Sequence, residues 1–128
     1  LYGVTDEAPE HSRPAFIYSQ ATRCGDLVFT AMQIALDPDS GRLVQVSIEE
    51  ETRQVLRNVD AVLRAAGSGL HKVVKMTVFM TDLGDFKRMN AVYAEYFPSA
   101  PPARSAIQVG ALPLGAAIEI EAVALVTS

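Results

Sequence analysis

Val73-Val74-Lys75-Met76-Thr77-Val78-Phe79-Met80 is the stretch from which the architecture of this chain unfolds. Side chains alternate faces along a strand, so Val74, Met76, Val78 and Met80 share one face and Val73, Lys75, Thr77 and Phe79 the other. Both faces are largely apolar, which predicts a central strand. The methionines read as core fillers. Helices flank this strand on both sides in sequence. Before it, Ser47-Ile48-Glu49-Glu50 reads as a capping box, with Ser47 as N-cap and Glu50 reaching back to it. The helix that follows carries Val55, Leu56, Val59, Val62, Leu63 and Ala66 at three- and four-residue steps, an apolar face. Arg53, Arg57, Asp60 and Arg64 lie mainly on its solvated side, and Gly67 is a good stop. After the strand, Asp82-Leu83-Gly84-Asp85 can cap a second helix whose inward face holds Phe86, Met89, Tyr93, Tyr96 and Phe97. Asn90 shares that face, and an inward polar side chain must find partners. Pro98 ends the helix.

Further out lie the other strands. Phe16–Arg23 and Leu27–Ala35 read as an antiparallel hairpin around Cys24-Gly25-Asp26. Asp37-Pro38-Asp39-Ser40-Gly41 is a turn that ends it. Residues 1–13 are a polar, irregular lead-in, with His11 at the surface. Toward the C-terminus, Pro101 and Pro102 cannot donate a backbone N–H and mark the approach to a strand. In that strand Arg104, Ala106 and Gln108 face one way, and Ser105, Ile107 and Val109 the other. A guanidinium beside a small residue suits bidentate capture of a carboxylate. An ordinary solvated arginine at a strand start fits the same pattern. Gly110–Gly115 turns the chain into a last strand, Ala117–Val126. There Ile118, Ile120, Ala122 and Ala124 face the helices, while Ala117, Glu119, Glu121, Val123 and Leu125 face away. Two carboxylates on a face that ends apolar fit a pocket border or a subunit interface better than a core. The order is β-β-α-β-α-β-β, an α+β single domain over residues 1–128. Two helices cover only one face of the sheet. The other face carries Leu27, Phe29, Val123 and Leu125, which implies association with further subunits.

Composition narrows the function. The 128 residues are 49% hydrophobic and 20% charged, with a formal net charge of −4. This is a globular composition without the basic stripe that nucleic-acid binding needs. No apolar run reaches membrane-spanning length and no signal-peptide pattern is seen, so a cytoplasmic location and no membrane partner are expected. Cys24 is the only cysteine and His11 and His71 the only histidines, so no metal-ligand spacing exists and no metal is expected.

The motifs together resemble the RidA (reactive intermediate deaminase) family across nearly the whole length. The matching residues include Tyr18-Ser19-Gln20-Ala21, Gly25-Asp26-Leu27-Val28-Phe29, Gln33-Ile34 and Gln54-Val55-Leu56-Arg57-Asn58-Val59. Pro102-Ala103-Arg104-Ser105 with Ile118-Glu119-Ile120-Glu121-Ala122 is the most specific part. The resemblance implies a chorismate-mutase-like fold, a homotrimer around a central β-barrel, and pockets between neighbouring subunits. It implies hydrolysis of enamine and imine acids such as 2-aminoacrylate to 2-oxo acids and ammonia, without metal or organic cofactor. By the same resemblance, Arg104 holds the substrate carboxylate, Glu119 orients or activates water, Tyr18 lines the pocket wall, and Asn90 lies near it. Periodicity alone puts Glu119 and Glu121 on one face and does not choose between them.

The chain also departs from the pattern. Ala31-Met32 stands where deaminating members usually carry Ser-Gly, Ala106 where many carry Cys or Thr, and Phe16-Ile17 where Gly-Pro is common. These substitutions imply a more apolar, reshaped pocket around Ala31, Met32 and Ala106. A deaminase of small imine acids, a deaminase of a larger aminated acid, and a non-enzymatic trimer that binds a small carboxylate all follow from this set. Ribonuclease action, another description attached to the family, fits the acidic charge poorly.

Overall fold

The computed structural model describes residues 2–4 and 18–126. Six strands form one sheet in the order β1-β2-β3-β6-β4-β5. They are β1 (Tyr2–Val4), β2 (Ala21–Cys24), β3 (Leu27–Thr30), β4 (Val73–Met80), β5 (Ala103–Gln108) and β6 (Ile118–Leu125). Helix α1 (Ile48–Ala65) precedes β4, and α2 (Phe86–Tyr96) joins β4 to β5. β4 pairs antiparallel with β6 on one side and parallel with β5 on the other, so the sheet is mixed and β4 is internal. The parallel pair follows from the helical crossover, since a short turn can join only antiparallel neighbours.

The core lies between the sheet and the helices. Val55, Leu56, Val59, Val62 and Leu63 of α1 meet Met76, Val78 and Met80 of β4 and Ile118 and Ile120 of β6, all with no exposed surface. Full burial of one Leu of this set contributes about 2 kcal/mol of transfer free energy. The alternation expected for β6 is observed: Ile118, Ile120, Ala122 and Ala124 are buried on the helix side. The opposite face leaves Phe29 and Leu125 exposed, with Leu27 and Val123 half-buried beside them.

Several expectations need correction. The lead-in contains a strand, β1, paired antiparallel with β2. Phe16, Ile17, His11 and most of the lead-in lie outside the described residues. The first expected strand is reduced to β2, and Tyr18 lies ahead of it. The second stops at Thr30, and the chain touches β6 again only at Gln33, opposite Ile120. Val74 does not join the buried face. The β4–β6 register shifts between Val73 and Lys75, a bulge that returns Val73 to the core side and leaves Val74 exposed. Only half of the capping box forms: Ser47 Oγ accepts the Glu50 N–H at 3.1 Å, while the Glu50 carboxylate accepts from Arg53 at 2.7 Å. The hairpin turn fits its sequence, with Gly25 at φ +60° in the first position of a two-residue loop, where a side chain would be strained.

Candidate active site

Arg104 and Glu119 occupy opposite faces of the sheet. Arg104 pairs laterally with Met76, whose side chain is buried under the helices, so the guanidinium points toward α2. There its Nη1 donates to Asn90 Oδ1 at 2.6 Å. The guanidinium carbon lies 4.6 Å from the centroid of the Tyr93 ring and 5.3 Å from that of Phe86, within cation–π range. Asn90 thus finds the partner its inward position requires. No Asp or Glu among the described residues pairs with Arg104. Its donors border a cavity of about 380 Å³ with Asn90, Tyr93, Phe97, Pro101 and Pro102. Burial pushes the Tyr93 phenol pKa up, and the Arg104 charge partly offsets this. Ala106 points the same way as Arg104 but packs against the core, and it does not line this cavity.

Glu119 is opposite Phe79 in the β4–β6 register and faces away from the helices. It is 5% exposed, and its Oε1 has no hydrogen-bond partner among the described residues. Burial pushes its carboxyl pKa up, and the neighbouring Glu121 charge pushes it further the same way. Tyr18, Ala31, Met32, Pro113 and Glu121 surround it in a cavity of about 420 Å³. A second cavity of about 230 Å³ shares Tyr18, Met32, Pro113 and Glu119 and extends inward to Gln20, Gln33 and Asn58. Tyr18 and Met32 are both largely exposed at these openings.

The cavities exist because β3 leaves β6 after Phe29. The departing segment 31–36 is held from outside. Ala31 N–H donates to Gln20 C=O at 2.8 Å, and Gln33 exchanges both backbone bonds with Ile120 at 2.8 and 3.1 Å. From α1, Asn58 Nδ2 donates to Ile34 C=O at 2.9 Å and Leu36 C=O at 2.8 Å. Gln54 Nε2 fixes Asn58 Oδ1 at 2.8 Å, and Arg57 donates to Gln54 at 3.1 Å. The same helix anchors β6: the buried Glu51 carboxylate accepts the Ala117 N–H at 2.7 Å, two residues before Glu119. Burial raises the Glu51 pKa, and the Ala117 and Ile118 N–H groups oppose that rise.

The fold therefore gathers Tyr18, Ala31, Met32 and Glu119 in one place and Arg104 with Asn90 in another. Gln20, Gln33, Glu51 and Asn58 were not singled out from the sequence as site residues. Their signal was present. Glu51, Gln54 and Asn58 form a polar stripe beside the apolar face of α1, and all three are buried. Among the described residues no cluster of three or more His, Cys, Asp or Glu could hold a metal, and no helix is long and apolar enough to cross a membrane.

Comparison with known proteins places the chain's sequence and fold among relatives. The sequence profile of the Endoribonuclease L-PSP family matches residues 8–126. A RutC family protein of Pyrococcus horikoshii is 48% identical over 120 residues, covering 94% of this chain and 93% of that protein. The human 2-iminobutanoate/2-iminopropanoate deaminase is 47% identical over 108 residues, covering 84% of this chain and 79% of that one. A crystal structure of a Thermotoga maritima protein superposes with a TM-score of 0.92 at 42% identity over the whole of both chains.

Proposed function

The chain belongs to the Endoribonuclease L-PSP family, the RidA family of its sequence resemblance, and on that premise we propose that it is a hydrolase that deaminates small imine acids to 2-oxo acids and ammonia. The observation that carries this reading is that, among the described residues, one arginine has no carboxylate partner and one buried glutamate has an oxygen without a hydrogen bond. Arg104 clamps the substrate carboxylate, and Glu119 handles the proton of the attacking water. The imine carbon is already electrophilic, so positioning and one acid–base group suffice.

One chain holds the two groups on opposite faces of its sheet, so the reading requires a second copy. Arg104 of one subunit meets the Glu119 cavity of its neighbour in a homotrimer. The apolar Phe29–Leu125 face, left uncovered by the helices, turns inward to the barrel. In the reaction, the imine with its carboxylate on Arg104 presents its carbon to a water held by Glu119. Glu119 Oε1 takes a water proton as the oxygen–carbon bond forms and the C=N pair moves onto nitrogen. The carboxyl returns that proton to nitrogen, then takes the adduct's hydroxyl proton and passes it to nitrogen as well, so that the C–N bond breaks to release ammonia as the C=O bond forms. A raised carboxyl pKa suits a group that must both accept and release a proton.

Met32 favours a second substrate size. It borders both Glu119 cavities, and Leu114 and Ile34 also line the inner one. Such a wall accepts an aliphatic side chain more readily than a polar one. Ribonuclease action finds no support in a net charge of −4 and a carboxylate-lined cavity.

The test measures 2-oxo acid and ammonia release from imines freshly generated by an amino-acid oxidase with catalase. Wild type accelerates release, and Arg104→Ala loses at least about 100-fold, the scale expected when a charged substrate loses its bidentate partner. Equal acceleration by the two proteins overturns the reading.

A further inference from the structure

Two polar groups around the inner cavity are buried and lack a partner among the described residues: Glu119 Oε1, an acceptor, and Gln20 Nε2, a donor. Gln20 is 3% exposed. Its amide orientation is assigned from the hydrogen bonds of its neighbours. Gln33 Nε2 donates to the Ala31 carbonyl oxygen, which can only accept, at 3.3 Å, and this bond assigns that end of Gln33 as its NH2 group. The same NH2 donates to Gln20 Oε1 at 2.8 Å. Gln20 Nε2 is left with its protons, lining the cavity that Glu119 also lines. Gln33 is itself pinned to Ile120, the residue after Glu119, by two backbone bonds. A desolvated amide N–H without an acceptor costs roughly 1–3 kcal/mol. Its retention in the wall of a cavity that a desolvated carboxylate acceptor also lines describes a seat for a molecule that both accepts and donates.

We propose that Gln20 is a catalytic residue of this hydrolase, which donates from Nε2 to the oxygen of the nucleophilic water while Glu119 Oε1 accepts that water's proton. The proposal rests on the deaminase reading and extends it. The donor follows one oxygen throughout. It holds the water before attack, the hydroxyl of the tetrahedral adduct after the O–C bond forms, and the oxygen on which negative charge develops as the hydroxyl proton passes by way of Glu119 to nitrogen, ammonia leaves and the keto group forms. The second lone pair of the water remains free to attack the imine carbon. Gln33 positions Gln20 and touches no reacting atom.

The experiment compares wild type, Gln20→Leu and Gln20→Glu in the oxidase-coupled assay, with KM and kcat separated and Tm recorded. Gln20→Leu removes the donor. Gln20→Glu keeps the shape and the acceptor toward Gln33 but offers an acceptor to the water. Both variants lose about 100-fold in kcat, in the range seen when one hydrogen-bond donor to a reacting oxygen is removed. KM stays within about 2-fold, because Arg104 still holds the carboxylate. Wild-type kcat in either folded variant overturns the proposal and leaves the deaminase reading standing. A rise in KM with kcat unchanged overturns it equally. Absence of turnover by wild type across the imine panel overturns both together.

Discussion

Arg104 and Glu119 are opposite charges on neighbouring parts of one sheet, and the chain treats them differently. Arg104 is surrounded by its own subunit: the Asn90 carbonyl in line with one nitrogen, and the rings of Tyr93 and Phe86 beside the guanidinium. Glu119 has been desolvated and given nothing among the described residues for one of its oxygens. The first arrangement suits the recognition role proposed for Arg104, rigid before the ligand arrives. The second suits the reactive role proposed for Glu119, held at a cost in stability so that its proton affinity rises. They lie on opposite faces, so on the proposed reading recognition and reaction meet only when two copies meet.

The largest expected effect tests that separation. The Arg104→Ala and Glu119→Gln proteins are both expected to be nearly inactive. Subunits of the two, unfolded together and refolded as a mixture, should regain about a quarter of wild-type activity, because in a closed ring of randomly mixed subunits one junction in four pairs an intact Arg104 with an intact Glu119. No recovery in mixtures that exchange subunits, as read by mass spectrometry, would place both groups in one subunit's site.

A smaller effect sharpens the recognition half. Asn90→Leu removes the acceptor that orients Arg104 while keeping side-chain size. KM for the imine acid should rise about 10-fold, equivalent to about 1.4 kcal/mol, with kcat little changed. A fall in kcat alone would mean that Asn90 acts on the reacting centre.

The smallest effect concerns stability and the reactive half. Glu119 has its carboxyl pKa raised by burial and by Glu121. The folded protein therefore holds that proton more tightly than the unfolded chain. Its contribution to stability is complete below the unfolded-state value and is lost as pH rises through the folded one. Glu119→Gln should raise Tm by about 3 °C at pH 8, a change of about 1 kcal/mol, and the gain should vanish at low pH. A gain that persists unchanged in acid would assign the effect to packing rather than to charge.

Periodicity made the helices, β4 and both faces of β6 legible, because each is long enough to repeat its pattern several times. It failed where pairing is short or irregular. β1 has three residues, fewer than two repeats of an alternating pattern. The expected second strand ran on through Ile34 and Ala35, whose composition suits a strand. Asn58 instead binds the backbone of that segment from α1. Val74 fell on the wrong face because one inserted residue shifts every side chain before it. Alternation grouped Arg104 with Ala106 and Gln108, and Glu119 with Glu121. Each grouping was made within one strand, and nothing in either strand says which face of the other it matches. That requires the register across β4, which relates Arg104 to Met76 and Glu119 to Phe79.

The hold that α1 keeps on segment 31–36 bears on how this protein could be redesigned. The backbone of that segment is tethered through Gln20, Ile120, Asn58 and its own carbonyls. None of these tethers uses the side chains of Ala31 or Met32, which border the cavity. A library randomised at those two codons would sample new substrate preferences on an unchanged scaffold. Randomising Asn58 or Gln54 would instead loosen the hold of α1 on that backbone.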